Sequence, residues 1–342
     1  MSRGAAKVSA SLPFEHLSRE TQALAHADAP TRIAYLRRDR FIEHAGVQPV
    51  KARLISLLSR PRTVRPQCVL LASEAGSGKT ALLRHLQRQY PDYEEASSGR
   101  VVRRVVYSEV EPSPTLRSLQ WGLLAELGVP EVEIRPREAR NELIRQYLAE
   151  FSTEMVLFDE AQHLQALPRR ERFLLLDWLK WVSTAGKACV VLSAAMADGR
   201  RLLEQDAQLL TRFTVVGIPR FKPGVAFGQF LLTLERSMPL RRASGLAHDP
   251  LQRAILDQTE AMQTLRGLTD GVVKVVQEAA VAAVSTGAER IEPSLLSSWR
   301  EGLRIPINPP RTPSKRSAPP RETRAEPRCS IPASSGLGAG AV

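Results

Sequence analysis

Five short apolar runs are spaced along the middle of the chain, at 67–72, 101–107, 155–159, 188–193 and 213–218, and each predicts a strand. Between them apolar residues recur at helical spacing, near 79–90, 114–127, 136–151, 170–185 and 198–211. Strand alternating with helix predicts an α/β fold: a five-stranded parallel sheet covered on both faces, with ligands at the carboxyl ends of the strands. After Pro219 only the helical period continues, around 223–236, 250–262, 268–286 and 293–300, which predicts a small helical lid. Ahead of the first strand, 14–60 reads as helical, with Leu54, Leu57 and Leu58 on one stripe before Arg60-Pro61, and 1–13 reads as loose. The expected division is 1–60 as an N-terminal segment, 61–219 as the core, 220–304 as the lid and 305–342 as a tail.

The first strand runs straight into a glycine-rich turn, Ser73-Glu74-Ala75-Gly76-Ser77-Gly78-Lys79-Thr80, followed by a helix. This is the pattern of a phosphate-binding loop. Glycines at 76 and 78 permit the dihedrals that aim backbone N–H groups at phosphates, Lys79 reaches the β- and γ-phosphates, and the Thr80 hydroxyl ligates Mg²⁺. The helix presents the positive end of its dipole to the same anion. One position departs from the pattern, since Ser73 stands where the first glycine belongs; a small residue can make that turn. The run Met155-Val156-Leu157-Phe158 ends in Asp159-Glu160, the acidic pair a nucleotide site requires. In such ATPases the first carboxylate holds Mg²⁺ and the second is general base toward the attacking water, so Asp159 is assigned to the metal and Glu160 to hydrolysis of ATP.

Charge adds a partner. The chain has 342 residues and carries a formal +12, with 48 Lys and Arg against 36 Asp and Glu. From Arg304 onward the net charge is +5, with eight prolines and a Gly/Ala/Ser end, so this tail is expected to be disordered. A basic balance suits double-stranded DNA or another polyanion, although a solvated basic face has the same composition. Aromatic residues are only 5% of the chain, so base stacking is not the expected mode, and contact through phosphates with little sequence preference is. Arg103 and Arg104 interrupt the second apolar run and are the local candidates for DNA; an edge strand using charge against aggregation reads the same way. No apolar stretch approaches the length of a membrane span and no apolar signal core opens the chain, so a cytoplasmic protein without a membrane role is expected. Cys68, Cys189 and Cys329 lack metal-ligand spacing, and a disulfide is not expected.

A five-stranded phosphate-loop core with a helical lid is the architecture of AAA+ ATPases. More narrowly, the chain resembles the TniB/TnsC family of transposition ATPases, relatives of MuB. The resemblance is carried by Arg38-Asp39-Arg40-Phe41-Ile42, Leu58-Ser59-Arg60-Pro61, Pro112-Ser113-Pro114, Asp159-Glu160-Ala161-Gln162-His163-Leu164, Gln208 to Phe213, Leu234 to Arg241, Ser244-Gly245-Leu246 and an Ala-rich helix at 272–284. It implies an ATP-dependent adaptor that assembles as a ring or filament on DNA, recruits or stimulates a DDE transposase, communicates with a TniQ-like target-selection protein, and disassembles on hydrolysis. It also implies that Arg212 reaches the γ-phosphate of a neighbouring subunit; a surface arginine preceding a strand is the alternative. Family members usually show Gly-Thr near Ser193-Ala194-Ala195-Met196, and here only Ser193 offers a hydroxyl for the nucleotide. A basic residue from the lid should approach the same site, and Lys274 is the nearest candidate, with a solvated lysine as the other reading. Another DNA-linked AAA+ ATPase, such as a helicase loader, or an adaptor that binds ATP without hydrolysing it, stays open at this point.

Overall fold

The computed structural model describes residues 14–302 except 62, 64, 131–136 and 205–206; the tail expected at 305–342, Cys329 and the first thirteen residues lie outside the described residues. In chain order the elements are α1 (Arg19–Ala25), α2 (Ala29–Leu36), α3 (Gln48–Leu58), β1 (Cys68–Ser73), α4 (Lys79–Gln89), β2 (Tyr93–Glu95), β3 (Arg100–Val102), β4 (Val105–Glu109), α5 (Leu116–Glu126), α6 (Arg137–Glu150), β5 (Met155–Asp159), α7 (Arg169–Gly186), β6 (Cys189–Ala195), α8 (Met196–Glu204), α9 (Ala207–Arg212), β7 (Phe213–Val216), α10 (Val225–Arg236), α11 (Asp249–Glu260), α12 (Thr269–Thr286) and α13 (Trp299–Gly302).

Five strands form one parallel sheet in the order β4-β5-β6-β1-β7. Both faces are buried along β1, β4, β5 and β6, which is why these strands read as continuous apolar runs rather than alternating ones. Val69, Leu71, Leu157, Val191 and Tyr107 pack against α3 and α4, through Leu54, Leu57, Leu82, Leu83 and Leu86. Leu70, Ala72, Val156, Phe158 and Leu192 face the other way, onto α5, α6, α7 and α8. Register follows from these two apolar sets, because a slip of one residue would exchange them.

The second apolar run is not one strand, as the sequence suggests. It breaks at Arg103-Arg104: β3 pairs with β2 in a separate antiparallel hairpin, and β4 joins the sheet only from Val105. Two adjacent guanidinium groups cannot both be buried in a sheet without partners, and each finds one here. Arg103 pairs with Asp92 at 2.7 Å, and Arg104 pairs with Glu154 at 2.7 Å.

A third apolar cluster contains no strand: Leu36 of α2 joins Phe227, Phe230, Leu231, Ile255, Val272, Val276 and Ala280 of α10 to α12, with Trp299 and the loop residues Met238, Leu240, Leu246 and Ile291. Buried Arg32 fastens α2 to this cluster, bidentate to Glu289 at 2.7 and 2.8 Å and donating to Pro239 O at 3.1 Å. The buried Glu235 carboxylate accepts three backbone N–H groups, of Ser244, Gly245 and Leu246, at 2.6 to 2.9 Å. The segments 234–241 and 244–246, conspicuous in the sequence, are thus the points where this helical cluster is tied together.

Candidate functional site

Strand β1 delivers its last residue, Ser73, fully buried to the start of the loop 74–78. Its hydroxyl accepts the Ile218 N–H at 2.7 Å, so the serine at the expected glycine position anchors the segment leaving β7. That approach is close enough that a Cβ on Gly217 would lie 2.7 Å from Ala72 O. Gly76 and Gly78 adopt φ of +79° and +91°, the left-handed region that glycine enters without a steric penalty. The loop is also held from outside: Asp270 N donates to Gly76 O at 2.9 Å, and Thr269 Oγ1 donates to Ser77 O at 3.2 Å. Glu74 is ion-paired with Arg220, whose guanidinium also donates to Arg266 O, and the hydrogen bonds from Arg220 hold the Glu74 carboxyl below the usual range. Ala75 is exposed at the loop's tip, and the buried Ser77 hydroxyl has no partner among the described residues.

Lys79 opens α4 with its side chain buried, and Nζ donates to Ser73 O and Glu74 O at 3.0 Å each. Burial lowers its pKa, while the nearby charges of Asp159 and Glu160 oppose that shift. Thr80, next in the first turn, is exposed. Asp159 ends β5 fully buried; its Oδ2 accepts the Tyr107 hydroxyl at 3.0 Å, and its Oδ1 accepts the Glu160 N–H at 3.0 Å. Tyr107 lies two residues back from the end of β4, its hydroxyl pushed well up by burial and by Asp159, with the Arg84 guanidinium 3.5 Å from its ring centroid. Glu160 follows with φ +56°, and its Oε2 accepts from Gln162 Nε2. Ser193 is buried in β6, opposite Leu71 in register and therefore on the face that carries Tyr107 and Asp159. Its hydroxyl has no partner among the described residues.

A buried lysine, a serine/threonine-lined glycine loop at a helix start and two carboxylates at the end of the next strand but one thus lie toward the carboxyl ends of parallel strands. A family model described as bacterial TniB protein matches residues 32–223, more than half of the chain. The chain belongs to the TniB family.

Solved structures agree on the fold. Cdc6p from Pyrobaculum aerophilum superposes with a TM-score of 0.58 at 16% identity, covering 79% of this chain and 70% of that one. The Aeropyrum pernix ORC2 protein, solved as ADPNP–ADP complexes, gives 0.52 at 14% identity over 79% of this chain and 71% of its own. The ORC1 protein of the same organism, solved in complex with DNA, gives 0.50 at 15% identity over 79% and 69%. At such identities the likeness establishes the shared α/β fold and no more. No curated protein matches the chain.

The remaining residues singled out in the sequence lie elsewhere. Arg212 ends α9 immediately before β7; because β7 runs parallel to β1, this is the opposite end of the sheet from the loop. Its guanidinium donates to Thr184 Oγ1 at 3.0 Å and Lys180 O at 3.4 Å. Lys274 lines a surface pocket with 261–265 and Trp299, one turn beyond the Thr269 and Asp270 that touch the loop. Arg103 and Arg104 stand at the amino end of β4, engaged by Asp92 and Glu154 and lying over the rings of Phe151 and Tyr90. Sequence reasoning passed over Tyr107 and Gln162. A tyrosine inside an apolar strand is the available signal for the first, since a buried phenol seeks an acceptor.

Among the described residues no helix is long and apolar enough to cross a membrane, and no cluster of three His, Cys, Asp or Glu is placed to hold a metal. Mg²⁺ nevertheless suits the donors present. It binds oxygen, keeps several waters, and commonly takes one carboxylate together with substrate phosphates, which the Asp159 carboxylate and Thr80 hydroxyl fit.

Proposed function

We propose that this TniB-family protein is a cytoplasmic AAA+ ATPase that regulates DNA transposition. With ATP bound it assembles on double-stranded DNA, largely irrespective of sequence, recruits or stimulates a DDE transposase, answers to a TniQ-like target-selection protein, and disassembles on hydrolysis. The observation that carries this reading is the meeting of Lys79, Asp159 and Glu160 at the carboxyl ends of β1 and β5, within a chain matched to the TniB family over 32–223. The Aeropyrum pernix ORC1 protein, solved with DNA, is a neighbour that supports a DNA-linked role.

In this reading Gly76 to Thr80 hold the phosphates of ATP, and Thr80 and Asp159 hold Mg²⁺, which neutralises phosphate charge when bound. Glu160 takes the proton of the attacking water. Arg212, at the opposite end of the sheet from its own loop, is assigned in this reading to the nucleotide of an adjoining subunit. Residues 61–219 act as the core and 220–304 as the lid. Ser193 offers the hydroxyl from β6. Arg103 and Arg104, already paired with carboxylates, contribute to DNA binding only if those pairs exchange.

The test is a titration of duplex DNA with and without ATP at two salt concentrations. Binding that requires ATP, is cooperative and falls steeply with salt supports the adaptor, since each neutralised phosphate releases a counterion. Tight, salt-insensitive binding to one sequence without ATP removes it. Steady-state ATP turnover distinguishes an ATPase from an adaptor that only binds the nucleotide.

A further inference from the structure

Glu160 leaves β5 in left-handed backbone, an uncommon conformation for glutamate, and two bonds fix it there. Its N–H donates to Asp159 Oδ1, and its Oε2 accepts from Gln162 Nε2. The Gln162 amide is itself fixed, because its Oε1 accepts the backbone N–H of Ala195, at the end of β6, at 3.2 Å. Only the amide oxygen can accept from that N–H. The amide therefore has one orientation, and its NH₂ must face the Glu160 carboxylate. A long, rotatable side chain is pinned between the end of one strand and the carboxylate that follows another. It stands where Ser193-Ala194-Ala195-Met196 offers no polar side chain after Ser193.

The geometry points to Gln162 as a positioning residue for hydrolysis: it sets where the Glu160 carboxylate lies and ties that position to the end of β6. This rests on the ATPase reading above. In the hydrolytic step the water oxygen bonds to the γ-phosphorus and the bond from that phosphorus to the bridging oxygen breaks, its electron pair leaving with ADP. The water proton passes to Glu160 and then to solvent. Gln162 makes and breaks no bond in this sequence. It acts through the place it gives to Glu160, and a displacement of about 1 Å at such a base costs on the order of 10²-fold.

The test uses the full chain with Mg²⁺, measuring steady-state ATP turnover beside equilibrium binding of a fluorescent ATP analogue. Gln162→Ala removes both hydrogen bonds, and Gln162→Met removes them while keeping the length of the side chain. Both should lower kcat by roughly 10- to 100-fold while KM and analogue affinity stay within about twofold. In a Glu160→Gln background the same changes should move the residual turnover by less than about twofold, because no base remains to be placed. Unchanged kcat in both variants overturns the role. So does an effect that persists at full size without Glu160, or turnover lost only together with analogue affinity, either of which makes Gln162 a structural residue. Wild-type protein without turnover removes the ATPase reading and this role together, whereas turnover in the wild type with unaffected Gln162 variants removes only the role.

Discussion

His44 gives the fold a built-in sensitivity to acid. Its ring is buried, tilted against Phe221 and edge-to-face with Phe230 at centroid distances of 4.8 and 5.2 Å; Nδ1 accepts the Gly46 N–H, and Nε2 has no partner among the described residues. Burial brings its pKa from the ordinary 6.5 down to about 4, with the charge of Glu43 opposing only in part. Between these values the unfolded chain binds a proton that the folded chain refuses, so stability rises with pH across the window and is lost as pH falls through it. At pH 7 the contribution is close to complete. At pH 5 the unfolded chain gains about 2 kcal/mol from protonation, by the linkage of about 1.4 kcal/mol per pKa unit. His44→Asn keeps an acceptor for Gly46 and removes the titration. Urea unfolding of both proteins at pH 7 and pH 5 isolates the difference, since the other titrating groups are common to the two. The wild type should lose about 2 kcal/mol more than the variant over that interval. Parallel losses, or a greater loss in the variant, would refute a neutral buried imidazole at 44.

Tyr107→Phe leaves Asp159 Oδ2 buried without its donor and should cost about 1–3 kcal/mol in urea unfolding; a change below about 0.5 kcal/mol would mean that this bond is replaced. Ser73→Gly restores the more usual loop residue yet removes the acceptor for Ile218 N–H, so it should destabilise by about 1–2 kcal/mol, and a stabilised variant would contradict that anchor. Arg212→Ala should lower ATP turnover of the assembled protein by at least about 10³-fold, the usual scale for an arginine supplied in trans, while ATP affinity measured at concentrations too low for assembly stays the same. Equal turnover in wild type and variant would return Arg212 to its role of holding Thr184.

The sheet was legible because its central strands are buried on both faces and therefore carry uninterrupted apolar runs; the glycine loop stood out as a candidate site because its residues lie within eight consecutive positions. What escaped depends on residues brought together by register. The break at Arg103-Arg104 is decided by Asp92 and Glu154, 11 and 50 positions away, and charges that distant do not announce their partners. Tyr107 meets Asp159 only because β4 lies beside β5 with Glu109 opposite Asp159, which puts the tyrosine two residues back on the same face. Along α12, Asp270 and Lys274 are one turn apart on one side of a helix, and periodicity does not say which turn touches the loop; the structure brings Asp270.

That contact changes how the loop is understood. Its lining chemistry sits between β1 and α4, but its outer side is held by residues far along the chain: Ile218 on Ser73, Arg220 on Glu74, Asp270 on Gly76 and Thr269 on Ser77. A Cβ on Gly76 would meet Leu265 at 2.8 Å, so Gly76 is constrained by that side chain as well as by its own dihedral. The family match ends at residue 223, just past Arg220, and leaves Leu265, Thr269 and Asp270 outside it. Lys79, Thr80, Asp159 and Glu160 all lie inside. In the proposed reading the phosphate-binding groups and part of the grip on the loop are carried by different stretches of sequence, and substitutions at 265–270 can alter how the loop is held without touching a group proposed to meet the nucleotide.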